Sequence, residues 1–368
     1  MVDYGGFEGN AQTLHILSRV EKKETQRKVD GEIRPFDHTG SDLRLGLNLT
    51  FRSLASVLKY DEGIPERKED RKKPGRIKGY YLCDEQLVKE IKRHVVGRED
   101  IGNFKTVECS IMDIADDIAY STYDLEDCFK ADLLEPFGLF TVDAEIRKTV
   151  REKVNKRLDE YYSDIPATER EIDDKDILRC LFDVFGDLFT ISADEKRELA
   201  NRNTAKEWKK LISSSAVRQL SRKIADDGYE RTRATSGLVE RFIDGIEVLP
   251  HPEFPQLHRV RLRVDIFKTV EVLKNITFEA VILSPAMQLV EYRGKEVIHS
   301  IFKAIEKEEK KVHLLLPEDY RNIYLQAKGS AKKRIICDFI SGMTDRYAWE
   351  FYNRLCGTIP SSIFDPVE

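Results

Sequence analysis

The sequence is short of the features that would place it in a membrane or outside a cell. No run reaches the roughly 18 apolar residues that a membrane-spanning helix needs, and the N-terminus has no signal-peptide pattern. The six cysteines, Cys83, Cys109, Cys128, Cys180, Cys337 and Cys356, include no CxxC pair. Neither a zinc ribbon nor a disulfide framework is therefore suggested. Thiols kept reduced in a cytoplasmic protein are the expected state. An excess of one charge is lacking too: 61 basic and 66 acidic residues leave a formal net charge of −5. Without an overall basic field, nucleic acid is not the expected partner, although a local basic pocket for a polyphosphate stays open. There is no internal repeat and no low-complexity tract. Strands do not alternate with helices as a Rossmann-type sheet requires.

What is present is amphipathic helix. Of the 368 residues, 41% are hydrophobic, ample for a core. Leu14, Leu17 and Val20 form one stripe over 11–22. Leu47, Leu54 and Leu58 suggest another helix over 43–60. The charged, proline-interrupted stretch at 62–79 reads as a solvated loop. Helices are expected over 83–97, 105–130, 143–162, 173–188, 194–200, 204–225 and 232–245. The run HRVRLRVDIF alternates apolar and charged residues and fits a short strand element near 257–266. Helical patterns return at 267–275, 286–308, 317–327 and 333–354. The expected class is mainly α with this one small β element.

The chemistry concentrates in ECSIMDIADDIAYSTYDLEDCF at 108–129. Asp116, Tyr120 and Asp124 are spaced i, i+4, i+8 and fall along one face of a helix. Asp113 and Asp127 lie near that face, while Ile111, Ile114, Ile118 and Leu125 can supply the packing side. Carboxylates beside a packing stripe are costly to bury unless a cation or hydrogen-bond donors meet them. One could ligate a metal, and the tyrosine and second aspartate could hold a substrate hydroxyl. From spacing alone, an acidic solvent face on an ordinary helix is the simpler reading.

The segment ADDIAYSTYDLED at 115–127 resembles the corresponding helix of the bacterial dGTPase and dNTP triphosphohydrolase family of the HD superfamily. The resemblance continues in GGFEGNAQTLHIL at 5–17, LGLNLTFRSLASVLKY at 45–60, TSGLVERFI at 235–243 and DFISGMTDRYAWEFYNRL at 338–355. Five ordered matches span nearly the whole chain. They imply an HD-domain-like helical bundle. Residues 1–135 would be the remaining part of the catalytic helical domain. Residues 136–368 would be a C-terminal helical region packing on it and contributing to a homo-oligomer.

The implied activity converts a dNTP, with dGTP the family-level choice, to deoxynucleoside and inorganic triphosphate. The resemblance implies that Asp116 is a metal ligand and that Tyr120 and Asp124 contact the sugar 3′-hydroxyl, favouring deoxyribose. Lys59 and Tyr60 would lie near the phosphates, Asn10 would border the site, and Arg231 and Arg233 could meet phosphate oxygens. Gln12 reads more readily as polar surface. The implied cofactor is a divalent metal (Mn, Mg, Fe, Co or Ni), and a dNTP could also act as effector.

One departure matters. The family's metal site also takes a histidine and an adjacent His-Asp pair upstream of the GGFEGNAQ segment, and this chain starts four residues before that segment. No histidine substitutes convincingly. His15 reads as packing, His38 follows Asp37 in the wrong order, and His94, His251, His258, His299 and His313 are isolated. The expectation is a late start or a truncation, and hence poor dNTP hydrolysis by this chain alone. The alternatives are a catalytically inactive nucleotide-binding oligomer, or a metal phosphohydrolase acting on another nucleotide.

Overall fold

The computed structural model describes residues 6–22, 28–29, 32–33, 35–36, 42–66, 78–136, 138–185, 226–307 and 311–356. In chain order the α-helices are α1 (Gly9–His15), α2 (Phe51–Ala55), α3 (Glu85–Val96), α4 (Val107–Lys130), α5 (Ala144–Tyr161), α6 (Ala167–Arg170) and α7 (Asp174–Phe185). The remaining helices are α8 (Gly228–Ile243), α9 (Val264–Thr277), α10 (Pro285–Lys307), α11 (Val312–Leu315), α12 (Glu318–Gln326), α13 (Ser330–Ser341) and α14 (Asp345–Cys356). The strands are short: β1 (Lys28–Val29), β2 (Glu32–Ile33), β3 (Gly63–Ile64), β4 (Tyr80–Tyr81), β5 (Ile246–Leu249) and β6 (Arg259–Leu262). They pair only two by two, β1 with β2, β3 with β4 and β5 with β6. The fold is mainly α and HD-like. The strand expected near 257–266 is β6. The helices expected over 194–200 and 204–225 lie outside the described residues.

Two compact units make up the chain. One comprises 1–110, 250–259 and 290–368; the other comprises 111–249 and 260–289. In the second unit the core is a helical layer of α5, α7 and α9. Val150, Val154 and Leu158 recur every four residues along α5 and are fully buried. Ile177 and Leu181 of α7 and Val270 and Leu273 of α9 complete the seam. Each such side chain contributes roughly 1.5–3 kcal/mol by leaving water. The buried Tyr162 phenol, just past α5, donates to the Leu262 carbonyl and tilts against Phe267 at 4.8 Å.

The first unit has two apolar clusters. Leu14, Leu54, Leu58, Val88, Ile91, Val95 and Phe104 form one. Val297, Ile301 and Ile305, again at four-residue spacing on α10, pack with Tyr320, Ile336 and Phe339 in the other. Helix α3 ends on Gly97, whose φ of 78° is the left-handed stop that glycine supplies without strain.

Three readings of the sequence change here. The segment 43–60 is helical only over Phe51–Ala55. Leu47, Leu54 and Leu58 have helix-like spacing, but Gly46 (φ 55°) and Asn48 (φ 50°) are left-handed, and the Leu47 amide donates to the Leu17 carbonyl at 2.9 Å. A Cβ on Gly46 would stand 2.3 Å from that carbonyl oxygen, so the close approach depends on glycine. The 11–22 helix becomes α1 continued by a π-helical turn, Ile16–Val20, closed by the Glu21 amide on the Ile16 carbonyl. The 333–354 helix is two. Gly342 ends α13, and the Thr344 hydroxyl accepts the Tyr347 amide to start α14.

Leu273→Ala should cost about 2–5 kcal/mol, the usual loss when a large aliphatic is cut from a packed seam. Leu289→Ala, at a position 70% exposed, should stay within about 0.5 kcal/mol. Urea denaturation of the two variants checks the contrast, and equal losses would show that the seam is not where the structure puts it.

Candidate functional site

Helix α4 is one continuous element of 24 residues. At its start the Thr106 hydroxyl accepts the Cys109 amide at 3.2 Å, filling one of the orphan donors of the first turn. Ile114, Ile118, Leu125, Cys128 and Phe129 form its buried stripe. Asp117, at the edge of that stripe, is held by Arg157 of α5 at 3.3 Å and by Lys274 of α9 at 2.5 Å. Arg157 also reaches Glu271 at 3.2 Å. This bridge fixes the rotation of α4 about its own axis.

The rotation determines what α4 displays. Asp116, Tyr120 and Asp124 fall within an arc of about 80° beside the buried stripe. Asp116 is exposed, Tyr120 is 53% exposed and Asp124 is half-buried. Burial, and then the like charges of Asp127 and Asp116, push the Asp124 carboxyl above its ordinary value. An acidic edge of this kind attracts cations or hydroxyl donors. Arg231 of α8 lies 3.9 Å from Glu126, which is on the flank of α4 away from Asp124. Arg233 is exposed and lies 3.7 Å from Glu230.

In the first unit, Lys59 and Tyr60 line a cavity of about 810 Å³ with Lys78, Lys105, His251 and Arg259. Four cations therefore edge one hollow. Its carboxylates are Asp61 and Glu62. Asp61 is engaged by the Lys92 ammonium at 3.0 Å and the Phe104 amide at 3.1 Å. The Lys78 ammonium donates to the Tyr60 hydroxyl at 3.1 Å. The β3–β4 pair brings Lys78 there. A Cβ on Gly79 would stand 2.1 Å from the Glu62 carbonyl oxygen. His251 Nδ1 accepts the amides of Glu253 and Phe254 at 3.2 and 3.1 Å. In the neutral ring the proton is then on Nε2, which becomes a donor. Asn10 is half-buried and donates to Glu8, whose carboxylate caps α1. Lys78, Lys105, His251 and Arg259 were not singled out from the sequence. Only the charge density of 62–79 hinted at Lys78.

A second cluster in this unit corrects two readings. His15 is buried, but not among apolar groups alone. Its Nδ1 lies 2.8 Å from Asp84 and its Nε2 lies 3.3 Å from Asp338. Burial disfavours the charged ring, yet the two carboxylates outweigh it and hold the His15 pKa well above the ordinary histidine value. Asp84 and Asp338 are likewise opposed by burial and are brought below the usual carboxylate range chiefly by His15. Arg19 approaches Asp84 at 3.6 Å, and Arg44 pairs with Asp42 at 2.7 Å. Gln12, expected at the surface, is 2% exposed. Its amide donates to Asp338 at 3.0 Å, and its oxygen accepts from the Tyr81 hydroxyl at 3.1 Å. A polar residue inside an apolar helical stripe was the available signal for His15.

Comparisons with known proteins now place the chain. Residues 260–354 match the family model described as a phosphohydrolase-associated domain. With the HD-like helical fold, this match is consistent with the HD superfamily. The chain is 39% identical over 381 residues to deoxyguanosinetriphosphate triphosphohydrolase-like protein 2 of Mesorhizobium japonicum, covering 100% of this chain and 75% of the relative. It is 26% identical to the protein of the same name from Deinococcus radiodurans, covering 99% and 71%. A similarly named protein of Aliivibrio fischeri is also 26% identical, with 96% and 71% covered. The chain belongs to the deoxyguanosinetriphosphate triphosphohydrolase-like family. No helix among the described residues is long and apolar enough to cross a membrane.

His15→Ala should leave Asp84 and Asp338 buried without their shared partner and cost about 3–5 kcal/mol. Chemical denaturation measures it. A loss under about 1 kcal/mol would mean that the ring does not compensate the two carboxylates.

Proposed function

We propose that this chain binds deoxynucleoside triphosphates and acts in their hydrolysis to deoxynucleoside and inorganic triphosphate. The observation that carries the reading is the cavity edged by Lys59, Lys78, Lys105 and Arg259. A triphosphate is the small metabolite whose charge density best repays desolvating four cations. Lysines act on it as point charges, arginine through a planar fork. Tyr60 and the Nε2–H of His251 add neutral donors. The names of the relatives support the same substrate class.

Tyr120 and Asp124, which belong to the other unit, are assigned to the sugar by resemblance alone. A half-buried carboxylate can accept from the 3′-hydroxyl, and the exposed phenol can pack where a 2′-hydroxyl would otherwise sit. In the reaction, water adds at the α-phosphorus, the bond to the 5′-oxygen breaks, and that oxygen leaves with a proton. Basic side chains offset the charge that gathers on the phosphate oxygens. We assign Asn10, Arg231 and Arg233 only to the margin of substrate binding. An assembly of identical chains and a dNTP effector remain part of the proposal by resemblance.

A divalent metal is the family's expected cofactor, and Asp116 would be its carboxylate donor. The residues round Asp116 do not by themselves fit one. A catalytic site normally needs about three protein ligands, and none of the seven histidines falls within 111–249 or 260–289, the unit that carries Asp116. Asp116 thus supplies one of the donors such a site needs. That observation favours a second reading, a nucleotide-binding homologue without turnover.

Two measurements separate the readings. Calorimetry with dGTP should show binding that Lys59→Ala and Lys78→Ala each weaken about 10–100-fold, the value of a charge-assisted hydrogen bond at ~1.5–3 kcal/mol. Unchanged affinity in both variants would remove the cavity from the site. Triphosphate release with Mn or Mg should be lost in Asp116→Ala if the chain turns over. Tight binding with no release by the unaltered chain would establish the second reading.

A further inference from the structure

The cluster round His15 contains a donor set that the proposed function does not use. A ring nitrogen of His15, Cys83 Sγ and a carboxylate oxygen of Asp84 all lie within 4.8 Å of one another. Asp84 Oδ2 is 2.8 Å from the imidazole nitrogen and 3.8 Å from the sulfur. We propose that His15, Cys83 and Asp84 form a site for one thiophilic divalent cation, with Zn2+ the best match.

The spacing suits that ion. Zinc bonds of about 2.0 Å to nitrogen and oxygen and about 2.3 Å to sulfur place tetrahedral ligands roughly 3.2–3.7 Å apart. The sulfur-to-carboxylate distance of 3.8 Å has to close, and the imidazole-to-carboxylate distance of 2.8 Å has to open, by only a few tenths of an ångström each. One nitrogen, one sulfur and one oxygen favour zinc over magnesium or calcium, which prefer oxygen alone.

The surroundings prepare the histidine for the role. Asp338 faces Nε2 at 3.3 Å, and Gln12 holds the other Asp338 oxygen at 3.0 Å. A carboxylate behind the distal nitrogen keeps the proton there and leaves the Nδ1 lone pair for a metal. Asp84 Oδ1 is buried with no hydrogen-bond partner among the described residues, Arg19 standing at 3.6 Å.

Charge and access agree with the same ion. Binding inserts one dication and releases two protons, one from the Cys83 thiol and one from the imidazolium, so the charge of the buried cluster is unchanged. A reactive thiol explains the cluster less well, because the Asp84 carboxylate beside the sulfur opposes a bare thiolate. His15 and Cys83 line a second cavity of about 540 Å³, and Cys83 is exposed. An entering ion has a route, and water can take its fourth position.

Cobalt(II) alone is the probe, added to the full chain. One equivalent should give a near-ultraviolet thiolate-to-cobalt charge-transfer band that zinc abolishes. Cys83→Ser should lose the band. Asp338→Asn should weaken binding about 10–100-fold. Asp116→Ala should leave the band intact, since that carboxylate has no part in this site, so the result is independent of any dNTP chemistry. In the unaltered chain, zinc should protect Cys83 from alkylation, read by peptide mass, and a chelator should restore the reaction. Absence of the band, its persistence in Cys83→Ser, or alkylation of Cys83 at the same rate with zinc would each overturn the assignment.

Discussion

His15 stands with each ring nitrogen against a different carboxylate, and the first unit is organised by that contact. Asp84 is 69 residues from it, just before α3. Asp338 is on α13, whose bond to Gln12 spans 326 residues. One imidazole therefore joins three stretches that the chain keeps far apart. Burying two carboxylates is expensive, and a cation between them recovers the cost only when its geometry is good. Arg19 and Arg44 add positive charge beside the carboxylates, Gln12 donates to Asp338 and Tyr81 donates to Gln12, while Asp84 Oδ1 keeps no hydrogen-bond partner among the described residues. A polar cluster of this kind adds little net stability over an apolar one of equal volume. It specifies which helix ends meet.

The second unit solves a related problem with a shorter-range device. A helix such as α4, apolar on one side and acidic on much of the other, can rotate by a few tens of degrees at small hydrophobic cost. Asp117 removes that freedom, because Arg157 and Lys274 come from two different helices. The adjacent Asp116, with Tyr120 and Asp124, is thereby presented at a fixed angle without taking part in the packing.

Much of this was legible in the sequence, and what was not has definite causes. The long helices α3, α4, α5, α9 and α10 announce themselves through four-residue apolar spacing, and β6 through alternation. The segment 43–60 misleads because apolar spacing records only which residues are buried. Gly46 and Asn48 turn the chain through a tight loop there rather than a helix, leaving Leu47 half-buried and Leu45 exposed. The acidic edge of α4 was visible because its members are local. Lys59 and Tyr60 were named through resemblance, whereas Lys105, His251 and Arg259 reach the same cavity from separate segments and carry no local mark. His15 was underread for the same reason. Its partners are distant in sequence, and nothing in LHIL says that two aspartates will face it.

The π-helical turn at Ile16–Val20 bears on what this lineage can change. A turn closed by bonds from residue i to i+5 holds one residue more than an α-turn spanning the same gap. Deleting any one of those five residues would let a regular helix form between unchanged ends. A deletion elsewhere in the helix, with the turn kept, would instead swing the chain before it by about 100° relative to the chain beyond it, carrying the imidazole away from its carboxylates. The count of residues along this helix therefore matters separately from their identity. A one-residue gap at this point in a descendant sequence would mark a protein in which the turn has become regular helix while the imidazole keeps its place.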